Sequence, residues 1–115
     1  MNRLYAFFGW AIIALGGLHM LTTLRLSSSP AFRVWFFGSG IALVLVGALN
    51  LLHRTYGPAA SGLRAVCRGA NIFITLFAAI AGIVTRASEP ELVMMMALLG
   101  GATILSFLHS RYAAT

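Results

Sequence analysis

Residues Val34 to His53 read VWFFGSGIALVLVGALNLLH, an uncharged run held between Arg33 and Arg54. At the 1.5 Å rise of an α-helix, about twenty residues cover about 30 Å, the thickness of the hydrocarbon core of a bilayer. Three more stretches share this character: Leu4–Leu24, Ala65–Thr85 and Leu92–His109. The fold expected is therefore all-α, an integral membrane four-helix transmembrane bundle with up-down topology. It forms one domain over residues 1–115.

The composition points the same way. Hydrophobic residues make up 60% of the chain and charged residues 9%, with a mean hydropathy of +0.93. A soluble domain carries about 25% charged residues, so this chain lacks the polar surface that water requires. Lipid can solvate the outside of a helical bundle, because each helix satisfies its own backbone.

The connections between the runs carry breaking and capping residues. Arg25–Arg33 contains Ser27-Ser28-Ser29-Pro30, Arg54–Arg64 contains Gly57-Pro58 and Ser61-Gly62, and Arg86–Glu91 contains Ser88-Glu89-Pro90. Prolines and serines at these places stop one helix and start the next. Ser88-Glu89-Pro90-Glu91 reads as an N-cap with proline and acid in the first turn. Arg3 followed by an apolar run, with small residues near Ser29-Pro30-Ala31, has the outline of a signal peptide. The run from Leu4 to Leu24 is longer than a signal core, so it is expected to remain as the first span.

Eight arginines stand against two glutamates, with no lysine, giving a net charge of +6. The arginines sit at the ends of apolar runs and form no contiguous basic stripe, which excludes a nucleic-acid surface. With four spans, Arg3, Arg54, Arg64, Arg68 and Arg111 share one side, and Arg25, Arg33 and Arg86 the other. The positive-inside rule then places both termini in the cytoplasm, the expected setting being the cytoplasmic membrane of a bacterium. Tyr5, Tyr56 and Tyr112 fall on that same side, where aromatic rings anchor at headgroup depth, with Trp35, Phe36 and Phe37 serving the other face. The single cysteine, Cys67, excludes an intramolecular disulfide.

An internal echo links the halves. LNLLHRTY (49–56) lies over LSFLHSRY (105–112), matching the histidine and the tyrosine, as two related helical hairpins would. Gly38-x-x-x-Ala42, Ala78-x-x-x-Gly82 and Ala97-x-x-x-Gly101, with Gly16, Gly17 and Gly47, indicate close helix packing. Met94-Met95-Met96 cannot converge on an ion, because consecutive helical residues point about 100° apart.

The polar residues gather near the cytoplasmic ends. Asn50 and His53 share a face of the second helix. Arg64, Arg68, Asn71 and Thr75 form a stripe on the third, and Thr103, Ser106 and His109 lie on the fourth. Groups at such depth turn inward or pair, so a cluster of Asn50, His53, Arg68, Asn71 and His109 is expected. Three readings are open for it. Histidines and arginines there cap helix C-termini or snorkel to the interface. His53 and His109, on alternate helices at one depth, could hold a b-type haem as cofactor. Arg64 and Arg68, with Asn50, Asn71 and the histidines, could bind an anionic lipid headgroup. His19 stands apart, with Gly16 and Thr23 on its face.

In length and hydropathy the chain resembles the small multidrug resistance transporters, four-span proteins that work as dimers. The resemblance implies a glutamate in the first span that exchanges protons for a cationic substrate. No acid occurs there, since Glu89 and Glu91 lie in the last connection, so export by that route lacks its residue. No Ser/His/Asp arrangement, phosphate loop or carboxylate pair offers an enzyme mechanism. The function expected is that of a small membrane scaffold, accessory subunit or self-associating bundle. The alternatives are the ligand-binding or redox bundle and a minimal oligomeric transporter. Membrane lipids, a homo-oligomer or a larger membrane complex are the partners expected.

Overall fold

A computed structural model describes residues 2–25, 27, 29–84, 86 and 89–113. Four helices are formed: α1 (Asn2–Thr23), α2 (Pro30–Tyr56), α3 (Ser61–Val84) and α4 (Glu89–Ala113). All four are long and apolar enough to cross a membrane, and together they make an up-down bundle. Each helix packs beside its neighbours in the chain, α4 closes the ring against α1, and α1 and α3 lie diagonally.

The helices outrun the apolar windows. Helix α2 begins at Pro30 rather than Val34 and ends at Tyr56 rather than His53; its 27 residues span about 40 Å. Its start follows from local chemistry. Pro30 needs no amide partner in the first turn, and the Ser29 hydroxyl accepts the Phe32 amide at 3.3 Å. The connection expected from Arg54 to Arg64 is almost wholly helical, reduced to a 3-10 turn at Gly57–Ala59 and to Ala60. Hydropathy marks where a helix leaves hydrocarbon, whereas backbone bonding continues into the headgroups until proline stops it. Ser88, half of the expected cap on α4, lies outside the described residues.

A glycine seam joins α1 to α2. Gly9 and Gly16 are seven residues apart on α1, Gly40 and Gly47 seven apart on α2, and the antiparallel pairing sets Gly16 on Gly40 and Gly9 on Gly47. A methyl group at Gly16 would lie 2.6 Å from the Gly40 carbonyl oxygen, and one at Gly47 would lie 2.7 Å from that of Gly9. Only glycine permits backbones this close. Of the three expected small-residue pairs, Gly82 meets Leu92 and Gly101 meets the Phe8 ring, but Gly38 faces open space. Ile12, Leu15, Leu43, Ala78, Leu99 and Ala102 fill the middle of the bundle, with Met95 and Met96 packed against them.

One aromatic assignment is corrected. Tyr5 is 1% exposed and sits inside the bundle, not at the headgroups, because its hydroxyl finds three polar partners there. Tyr56 is exposed, as an interfacial anchor should be. The side chain of Tyr112 lies outside the described residues.

Candidate functional site

At the end of the bundle that carries both termini, every helix contributes to one buried polar cluster. Its members are Tyr5 of α1, Asn50 and His53 of α2, Cys67 and Asn71 of α3, and His109 of α4; only His109 is exposed by more than 1%. The order of donors follows from one backbone atom. The Val46 carbonyl can only accept, so the Asn50 atom 2.8 Å from it is Nδ2. The second Nδ2 hydrogen of Asn50 goes to Asn71 Oδ1 at 2.8 Å, and Asn71 Nδ2 donates back to Asn50 Oδ1 at 2.8 Å. The two amides thus form a reciprocal pair across α2 and α3.

Tyr5 completes the chain of bonds. Its hydroxyl donates to Asn50 Oδ1 at 2.8 Å, which spends its only hydrogen. His53 Nδ1, also 2.8 Å from the Tyr5 oxygen, must then be the donor, which fixes the His53 tautomer. The Cys67 thiol lies 3.4 Å from Asn50 Oδ1 and 3.7 Å from the Tyr5 hydroxyl, and Asn71 Nδ2 reaches its sulfur at 3.7 Å. Each such bond adds only about 0.5–1.5 kcal/mol, but leaving one buried group unpaired costs about 1–3 kcal/mol. Sliding or rotating any of α1, α2 or α3 would orphan several groups at once, so the cluster fixes the register of those helices.

His109 has a different task. The Arg54 carbonyl would normally receive the amide four residues on, but that residue is Pro58, which has none. His109 Nε2 stands 3.0 Å from this carbonyl and donates to it from the neighbouring helix. Arg64 finishes the same cap, its Nη1 donating to the Gly57 carbonyl at 2.7 Å and reaching that of Pro58 at 3.3 Å. The expected C-capping role is thus met across helices, not within one.

Of the residues singled out from sequence, Asn50, His53, Asn71 and His109 come together. Arg64 and Arg68 do not join them: Arg64 caps α2, and Arg68 lies over the Phe107 ring, 4.7 Å from its centroid. Thr75 and Thr103 meet oxygen to oxygen at 3.3 Å, yet each also reaches its own i−4 carbonyl at 2.7 and 2.8 Å, so their mutual contact is the weaker one. His19, near the far end, is bonded to the Leu15 carbonyl at 3.0 Å and stacked on Phe36. Tyr5 and Cys67 are the members that sequence reasoning missed. Cys67 lies four residues before Asn71, a spacing that places both on one face.

The haem reading fails the fit. The His53 and His109 rings are 5.6 Å apart and tilted at 75°, and the Tyr5 ring lies 5.8 and 5.3 Å from them. Three rings in mutual contact leave no slot for a flat macrocycle. His109 Nε2, the nitrogen an axial ligand would offer, is held by the Arg54 carbonyl.

The chain is a membrane-spanning four-helix bundle whose polar interior is closed on itself at one end. No protein-family model, curated protein or solved structure matches it.

Proposed function

We propose that this bundle is a scaffold or accessory subunit of a larger membrane assembly, and that it works through its lipid-facing surface. One observation carries the reading. The side chains equipped for chemistry are bonded to each other and shut away, whereas α3 turns a broad apolar face outward. Val66, Phe73, Leu76, Ile80 and Ile83 are each more than half exposed. With Gly69 they recur at alternating steps of three and four residues, the spacing by which one transmembrane helix meets another. Both termini are read as cytoplasmic on the arginine bias, and the membrane is taken to be the cytoplasmic membrane of a bacterium.

A photo-crosslinker at Phe73, compared with one at Leu45 on α2, tests the surface. Both residues are exposed, by 74% and 64%. The expected result in native membranes is a discrete protein adduct from Phe73 and only lipid adducts from Leu45. Lipid adducts alone from Phe73, together with a detergent-corrected mass of one 12.3 kDa copy, would overturn it. Reporter fusions to the C-terminus check the sidedness separately.

A further inference from the structure

Arg68 holds a permanent charge inside the α3 span. Seven residues on from Ser61, its backbone lies about 10 Å along the helix from the α3 start. Among the described residues its Nε is buried and makes no hydrogen bond, and its guanidinium lies over the face of Phe107. A ring quadrupole does not neutralise a guanidinium, and arginine does not shed its proton.

The chain offers Arg68 no acidic side chain. Its only two, Glu89 and Glu91, sit in the first turn of α4, whereas Phe107 lies sixteen residues beyond Glu91, about 24 Å along that helix. Arg33, the other described arginine whose buried Nε makes no hydrogen bond, differs in place: it lies one turn inside α2, at the end of the bundle that carries the glutamates. Among the described residues no carboxylate lies within reach of Arg68, so its counter-charge is sought outside them.

We propose that Arg68 binds the phosphate of an anionic glycerophospholipid in the leaflet at the termini-bearing end. The Nη groups of the guanidinium suit phosphate oxygens, and the long side chain extends toward headgroup depth. Arg64, one turn nearer the interface, adds a second positive charge. One turn deeper, Ile72 and Ile104 are exposed and apolar, which is the surface an acyl chain needs below a phosphate held at Arg68. A carboxylate from a neighbouring protein would need a partner chain seated here, whereas lipid phosphates line the headgroup layer toward which the Arg68 side chain extends. This site is independent of the α3 surface above.

Native mass spectrometry of the purified full chain, titrated with phosphatidylglycerol and with phosphatidylcholine, tests the proposal. The wild type is expected to hold one phosphatidylglycerol more tightly than phosphatidylcholine. Arg68→Gln should weaken that binding at least tenfold, Arg68→Lys less, and excess inorganic phosphate should not displace the lipid. Equal binding by Arg68→Gln and wild type overturns the site. Displacement by inorganic phosphate overturns the lipid assignment, and so does a protein partner lost on Arg68→Gln with lipid binding unchanged. Should Arg68→Gln fail to fold, the wild-type preference decides, and no preference between the two lipids refutes the proposal.

Discussion

Gly38 and Gly40 stand two residues apart on α2, about 200° around the helix, and alanine at each should shift stability in opposite directions. At Gly40 the new methyl would fall 2.7 Å from the Gly16 carbonyl oxygen, 2.7 Å from Met20 Cγ and 3.1 Å from His19 Cβ. Met20 can swing away, but the carbonyl belongs to a backbone. A carbon–oxygen contact settles at about 3.3 Å, so α1 and α2 must part locally by roughly 0.6 Å. Overpacking of this kind costs about 1–3 kcal/mol, offset in part by about 0.5–1 kcal/mol from replacing a helical glycine. Gly40→Ala is therefore expected to lose about 1–2 kcal/mol. At Gly38 nothing lies within 4 Å of the same methyl, so Gly38→Ala should gain the propensity difference alone. The two variants then differ by about 2 kcal/mol, close to a 30-fold change in the unfolding equilibrium. Unfolding in mixed dodecylmaltoside and dodecyl sulfate micelles, followed by far-ultraviolet circular dichroism, measures both. A second substitution at Gly16 should add less than its own cost, because the seam is already open. Equal shifts for Gly38→Ala and Gly40→Ala would refute the glycine seam.

Two further substitutions probe the polar end. Tyr5→Phe deprives Asn50 Oδ1 of a donor and His53 Nδ1 of an acceptor, and should cost about 1–3 kcal/mol in the same assay. It should also speed maleimide labelling of Cys67, which is 0% exposed in the intact bundle; unchanged labelling would show that the cluster does not hold that end shut. His109→Leu removes the donor that stands in for the missing Pro58 amide, and should cost about 1 kcal/mol or more. Pro58→Ala supplies that amide, so the double variant should lose less than the sum, whereas strict additivity in the double-mutant cycle would disprove the cross-helix cap.

How much of this could be read from sequence depended on contrast. Four spans were legible because charge and proline interrupt the apolar runs at Arg25–Arg33, Arg54–Arg64 and Arg86–Glu91. Asn50, His53, Asn71 and His109 were legible as a cluster because polar groups in apolar helices have few other places to go. Tyr5 was not, since a tyrosine near a helix end serves an interface or a core with equal ease, and which of the two depends on the partners other helices bring. Gly16 and Gly47 were legible as packing glycines, but Gly9, Gly40 and the pairing of the four into a seam escaped, although both spacings are seven. On helices apolar all round, nothing marks one glycine as inward and another, such as Gly38, as outward. The LNLLHRTY and LSFLHSRY echo did place two histidines in contact, yet the glycine seam of the first hairpin has no counterpart in the second.

The two ends of the bundle are held differently, and this bears on where function can reside. Toward the far end, α1 and α2 are drawn together by bare backbones at Gly16 and Gly40. At the termini-bearing end a network of directional bonds takes over, and His109 and Arg64 finish the helix end that Pro58 leaves open. A network in which Tyr5, Asn50 and Asn71 have each spent their hydrogens is poorly suited to exchange protons or ligands, because any new bond must break one already made. Arg68, whose guanidinium lies over the Phe107 ring and whose Nε makes no hydrogen bond among the described residues, stands outside that network. This arrangement favours a bundle that is rigid within and makes its contacts at the surface.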